Sequence, residues 1–142
     1  MQRDLDIIAR ESHDPDTQTS CLIVTSYGAT VSSANVLPDG VIASPERLVR
    51  PGKYAFIMHA ERSAIALAAR RGICLYGSTA YLNWFPCAEC AGCLVQAGIK
   101  VLVADLEKYT SRITDPIYQF AEARQILEEG GVTVRWLQEI GK

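Results

Sequence analysis

The sequence predicts an α/β fold in three layers, α/β/α, with a five-stranded mixed sheet whose last two strands are parallel. Helix-like and strand-like segments follow one another in the order α-β-β-α-β-α-β-α-β. A helix joins the last two strands, and parallel neighbours need such a crossover. The chain of 142 residues, 49% apolar, suits one domain over residues 1–142 that buries a core without disulfides.

Each element has its own signal. Residues 2–12 read as a helix, with Leu5, Ile8 and Ala9 at helical spacing, ended by His13-Asp14-Pro15-Asp16-Thr17. Ser20–Thr25 and Ala29–Val36 read as antiparallel strands about a turn at Tyr27-Gly28. From Leu37 to Ile57 the chain is irregular, punctuated by Pro38, Gly40, Pro45, Pro51 and Gly52. A connection of that length is commonly functional, and it is the candidate lid or substrate loop. His59 to Arg71 is an alanine-rich helix stopped by Gly72, and Ser78–Phe85 is a β-branched and aromatic strand. Pro86 opens a helix over Cys87–Ala97 that Gly98 closes, and Ile99–Ala104 is a buried strand. Asp115-Pro116 starts a helix running to Glu129, and Val132–Trp136 is the last strand.

Charge and composition narrow the classes of function. A net charge of −2 gives no general pull toward nucleic acid or an anionic membrane. The opening residues mix both charge signs without a long apolar run, so no signal peptide is expected. No stretch approaches the ~18 apolar residues of a membrane span. A cytoplasmic location is the default expectation. The five cysteines agree with it: Cys87, Cys90 and Cys93 cluster, while Cys21 and Cys74 stand alone, a pattern of ligands more than of disulfides.

The chemistry is concentrated in His59-Ala60-Glu61 and, downstream, Pro86-Cys87-x-x-Cys90. This H-x-E…P-C-x-x-C pattern is the known signature of zinc deaminases. A catalytic zinc takes three protein ligands and keeps one position open. Cys87 and Cys90, three apart at a helix start, point their thiols the same way, and the helix dipole there favours thiolate. His59, at the start of another helix, supplies a neutral imidazole. Glu61 then sits near the metal without binding it, placed to accept a water proton and pass it on. Two other readings stand beside this one. Cys93 could close a structural Cys₃His site, although it lies two turns into its helix, and a C-x-x-C alone also serves zinc-stabilised interaction proteins.

These residues resemble the cytidine-deaminase superfamily, and within it the deoxycytidylate (dCMP) deaminase-like branch. His13-Asp14-Pro15-Asp16-Thr17-Gln18-Thr19 is similar to that branch's S-K-D-P-x-T-K segment, and His59-Ala60-Glu61-Arg62-Ser63-Ala64-Ile65 to its H-A-E-x-N-A-I. Phe85-Pro86-Cys87-Ala88-Glu89-Cys90-Ala91, continuing to Gln96-Ala97-Gly98-Ile99-Lys100, is similar to its F-P-C-x-x-C-A…Q-A-G-I-K. The resemblance implies the cytidine-deaminase-like fold and a metal-activated water attacking C4 of a cytosine nucleotide or nucleoside, leaving uracil and ammonia. It also implies that the Ala60 backbone hydrogen-bonds the base, that Asn35 meets the substrate, and that the chain forms a homo-oligomer. Only the asparagine of the branch's G-Y-N-G is kept, in Ser33-Ala34-Asn35-Val36; its T-K lysine is Gln18 here, and the asparagine of H-A-E-x-N is Ser63. The substrate is therefore open to other amino-heterocycles, such as guanine, a pterin-like ring or a modified cytosine. Editing of a base within a nucleic acid would need a basic track that the composition does not show. Arg47, Arg50, Lys53 and Arg62 are the candidate cations for a 5′-phosphate, and Trp84 and Phe85 for the walls of a base pocket.

Overall fold

A computed structural model describes residues 1–140. Its strands are β1 (Ser20–Val24), β2 (Thr30–Ala34), β3 (Thr79–Leu82), β4 (Val101–Ala104) and β5 (Thr133–Trp136), in the spatial order β2-β1-β3-β4-β5. β1 is antiparallel to both β2 and β3, whereas β3, β4 and β5 are mutually parallel. The expected mixed sheet with a parallel last pair is present, and the parallel part extends to β3. Its crossovers are α5 (Ala88–Ala97), between β3 and β4, and α7 (Phe120–Glu129), between β4 and β5.

The period-two alternation of the strands sorts the two faces. Cys21, Ile23, Ala80, Leu82, Leu102 and Ala104 point to one side. There they meet α4 (Ala60–Arg71), α5 and α7 through small or branched residues such as Ala64, Ala68, Leu94 and Leu127. Leu22, Tyr81, Val101 and Val103 point to the other side and meet Leu5 of α1 (Gln2–Ala9) and Leu137. This gives three layers, with the thicker core under α4, α5 and α7.

Gly72 and Gly98 end α4 and α5 in the left-handed conformation, as the sequence predicts. Gly98 is needed for a second reason: a Cβ there would lie 2.9 Å from the Cα of Tyr76.

Three segments depart from expectation. The irregular 37–57 span holds two single-turn helices, α2 (Pro45–Leu48) and α3 (Lys53–Phe56). A further helix, α6 (Leu106–Arg112), follows β4; Asp105 caps it by accepting from the Lys108 N–H at 2.9 Å. The last helix starts at Phe120, not at Asp115-Pro116. The Asp115 carboxylate accepts instead from Ile117 N at 3.0 Å, a local turn, and Gln119 adopts φ 52, which breaks helical continuity. No helix among the described residues is long and apolar enough to cross a membrane.

β2, β3, β4 and β5 run one way and β1 the other. The carboxyl ends of the first four therefore share an edge with the amino end of β1. The segments holding Asn35, Cys87 and Asp105 leave the sheet there, and Thr19 arrives. Crevices at such an edge are where open α/β sheets commonly bind ligands.

Candidate active site

Two helix starts converge at this edge. Beyond β2, Val36 and Met58 form an antiparallel bridge, with N···O distances of 3.1 and 2.8 Å, which brings His59 alongside Asn35. His59 is the N-cap of α4. Beyond β3, the Asn83 side chain ties the chain down by accepting from Ser20 N at 2.8 Å and donating to Gln18 O at 3.1 Å. The Trp84 carbonyl accepts from Asp105 N at 3.0 Å. The chain then passes Phe85-Pro86 and reaches Cys87, the N-cap of α5, with Cys90 in its first turn.

His59 Nδ1 lies 3.6 Å from Cys87 Sγ and 3.3 Å from Cys90 Sγ, and all three donor atoms fall within 4.8 Å of one another. A tetrahedral zinc, with bonds of about 2.3 Å to sulfur and about 2.0–2.1 Å to nitrogen, sets S···N edges of about 3.6 Å. The donor set and its spacing therefore fit that ion. Among the described residues no fourth His, Cys, Asp or Glu joins the group. Cys93 is outside it and half-buried, and Cys74 is exposed.

The electrostatics match a cation site. A hydrogen bond with Cys90 lowers the Cys87 thiol to about 4, against the opposing effect of burial and helped by His59. Cys90, holding the proton of that pair, is raised, with burial adding to the effect. His59 is raised, chiefly by its hydrogen bond with Cys87. These groups share protons that a divalent ion would displace. Glu61, 4% exposed, is raised by burial.

A cavity of about 210 Å³ opens beside the triplet. Glu61, His59 and Cys87 line it beside the triplet, Tyr54, Ile57, Trp84, Phe85, Ile117 and Tyr118 give apolar walls, and Asp14, Thr17, Thr19, Asn35, Arg50 and Lys53 give polar ones. A few placed polar groups among apolar walls is the usual composition of a small-molecule site. Trp84 and Phe85 each serve two purposes. Phe85 also packs in the core against Tyr109, Phe120 and Trp136, with centroids 4.6, 5.2 and 6.0 Å away. Trp84 stacks under Lys108 and Arg112 at 4.7 and 4.6 Å.

Asn35 lines the cavity, but most of its carboxamide is already engaged. Oδ1 accepts from Ser12 Oγ at 2.6 Å and Thr19 N at 2.9 Å, and Nδ2 donates to Thr17 O at 2.9 Å. One Nδ2 hydrogen remains for another acceptor. Ala60 is wholly buried as the first residue of α4, where a backbone N–H has no intrahelical partner.

The candidate cations separate clearly. Lys53 is buried against Asp14, 3.0 Å away; Arg62 pairs with Glu89 at 3.6 Å; Arg47 lies 4.3 Å over the Phe56 ring and bonds the Ile42 carbonyl. Of the four, Arg50 and Lys53 line the cavity, and Lys53 is neutralised there. The sequence motifs do not reach Tyr54, Ile57 or Tyr118, which sit in irregular segments with no spacing signal; Thr17 and Thr19 lie within the 13–19 motif, but only the fold shows that they line the cavity.

The three-layer α/β/α fold thus brings together, at its strand ends, a His-Cys-Cys triplet able to hold a metal ion and a buried carboxyl, the parts of a metal-dependent active site. Residues 1–105 match the profile of the cytidine and deoxycytidylate deaminase zinc-binding region. The chain belongs to that family. It is 31% identical over 135 residues, 93% of this chain and 87% of the other, to an uncharacterized deaminase in the luxG 3′ region of Aliivibrio fischeri. It is 32% identical over 134 residues to the deoxycytidylate deaminase of Homo sapiens, covering 89% of this chain and 71% of that one. The crystal structure of the dCMP deaminase from cyanophage S-TIM5 in complex with dCMP and dUMP shares the fold. Its TM-score is 0.74 at 19% identity, over 95% of this chain and 92% of that chain.

Proposed function

We propose that this chain, a zinc-dependent deaminase by family, forms one domain that hydrolyses the amine of a cytosine nucleotide or nucleoside, dCMP foremost, to the uracil product and ammonia. His59, Cys87 and Cys90 would hold the zinc, and Glu61 would carry the protons. The observation that carries this reading is the placement of Glu61, a buried carboxyl on the cavity wall beside the triplet. No ion pair among the described residues involves it.

Zinc, when bound, would supply a Lewis acid that brings the pKa of an attached water to about 7. The rest of the work belongs to the chain. Glu61 takes one proton of the attacking water to a ring nitrogen, then relays the second, from the hydroxyl added at C4, to the amine, so that the C4–N bond breaks, ammonia leaves and the C4 carbonyl forms. Such proton transfer contributes about 10²–10⁴-fold. The Ala60 N–H and the remaining Asn35 Nδ2 hydrogen are donors for the base or its sugar. Tyr54, Trp84 and Phe85 exclude water from the ring. Arg50, the cavity cation without a carboxylate partner among the described residues, is the group for a 5′-phosphate. The deoxycytidylate deaminases among its relatives support the nucleotide as substrate, and a homo-oligomer belongs to the same reading.

Ammonia release across cytosine, cytidine, deoxycytidine, CMP, dCMP and guanine tests it. Turnover of dCMP above the free bases is the expected result. Turnover of guanine alone would move the assignment to another ring, and none with zinc bound would end it.

A further inference from the structure

Two full charges are buried beside the cavity, on segments other than those carrying the metal triplet. Lys53 is 6% exposed and Asp14 7%. Lys53 Nζ lies 3.0 Å from Asp14 Oδ2 and 3.3 Å from Oδ1, and 3.6 Å from an oxygen of the exposed Asp16. Taking both ions out of water costs much of what their attraction returns, so such a pair is weak evidence of a role in stability alone. The hydrogen bonds that continue from Asp14 suggest what else it does.

Asp14 Oδ1 accepts from Asp16 N at 2.9 Å and Thr17 N at 3.3 Å, which turns the chain at Pro15. The Thr17 carbonyl then accepts from Asn35 Nδ2. Asn35 Oδ1 accepts from Thr19 N and from Ser12 Oγ, and Ser12 Oγ accepts from Asp14 N at 3.1 Å. The bonds form a closed circuit from Asp14 through Thr17, Asn35 and Ser12 back to Asp14. Lys53, on α3, is its anchor in the irregular 37–57 span. Asp14, Thr17, Thr19, Asn35 and Lys53 all line the cavity. The one unengaged hydrogen of Asn35 therefore has a direction set by the circuit.

We propose that the Lys53–Asp14 ion pair is a positioning device that pins the 37–57 span to the 13–19 segment and aims the Asn35 carboxamide at the substrate. It governs substrate affinity more than the chemical step. The inference rests on the cavity being the substrate site. Lys53 is thereby excluded as the phosphate cation, because its charge is committed to Asp14.

The test uses Lys53→Met, the double variant Asp14→Asn/Lys53→Met, and Lys53→Arg. Asn at position 14 keeps an acceptor for the Thr17 N–H, and the double variant leaves no uncompensated buried charge, so it folds even where Lys53→Met alone does not. The double variant is expected to keep one zinc per chain, raise the KM for dCMP at least about tenfold and hold kcat within about threefold. Amide hydrogen exchange at Thr19, whose acceptor is Asn35 Oδ1, is expected to accelerate at least about tenfold, with α7 amides unchanged. Lys53→Arg should restore most of the affinity. Unchanged protection at Thr19, or a fall in kcat at constant KM, would overturn the proposal. If the unaltered chain deaminates none of the substrates, the function fails, while the exchange measurement still decides whether the pair positions Asn35.

Discussion

Cys90 Sγ lies 3.3 Å from His59 Nδ1 although 31 residues separate them in the chain. The sheet makes this contact possible. His59 begins α4 where the Val36–Met58 bridge returns the chain to the end of β2, Cys87 begins α5 a few residues past the end of β3, and both strands point to the same edge with β1 between them. Each donor sits at or near a helix N-terminus, where unsatisfied N–H groups and the helix dipole favour thiolate. The geometry of the site therefore follows from strand direction and helix starts more than from any local loop structure.

Cys90→Ala should abolish stoichiometric zinc. With two of three donors left, the content measured by inductively coupled plasma mass spectrometry is expected to fall from about one ion per chain to below about one-tenth. Cys93→Ala should leave it at about one, since Cys93 stands outside the group. Equal zinc in Cys90→Ala and the unaltered chain would disprove the ligand assignment; loss in Cys93→Ala would point to a closed four-ligand site.

Phe85→Ala should be among the most costly core substitutions. The ring is 2% exposed and touches Tyr109, Phe120 and Trp136. Truncation of such a ring costs about 3–5 kcal/mol, read from urea unfolding at constant m-value. A loss under about 1 kcal/mol would show that the aromatic cluster does not hold the metal loop against the core.

Gly72→Ala and Gly98→Ala separate conformational strain from steric clash. Both glycines have positive φ, 68° and 91°. A Cβ at Gly72 meets nothing, so the substitution should cost roughly 1–2 kcal/mol from the left-handed backbone alone. At Gly98 the Cβ would press on the Tyr76 backbone at 2.9 Å, adding about 1–3 kcal/mol. Equal losses in chemical denaturation would contradict this account of the Gly98–Tyr76 approach.

Much of the site was legible in the sequence because its chemistry is written at helix boundaries. Pro86 marks the start of α5, Gly72 and Gly98 mark the ends of α4 and α5, and His59, Glu61, Cys87 and Cys90 sit at the starts of the same two helices. The three-layer architecture was legible for a similar reason: each parallel pair is joined by a helix long enough to be seen. α6 was missed because Leu106–Arg112 is too short to show an apolar period, and its one signal was the Asp105 cap. Asp115-Pro116 imitates a helix start, yet the carboxylate serves a turn and the helix begins after Gln119. Lys53 read as a loop cation free to bind phosphate. Its burial against Asp14, 39 residues away, is a tertiary fact that no local pattern carries.

In the proposed mechanism Glu61 moves the protons while His59, Cys87 and Cys90 hold the ion. Glu61→Gln preserves size and nearly preserves shape, and should keep zinc at about one per chain. The direct measurement is single-enzyme ammonia release from dCMP by this variant, with zinc content determined on the same sample. The expected result is a fall in kcat of at least about 10²-fold with full metal occupancy. Turnover within about threefold of the unaltered chain, at equal zinc, would contradict it.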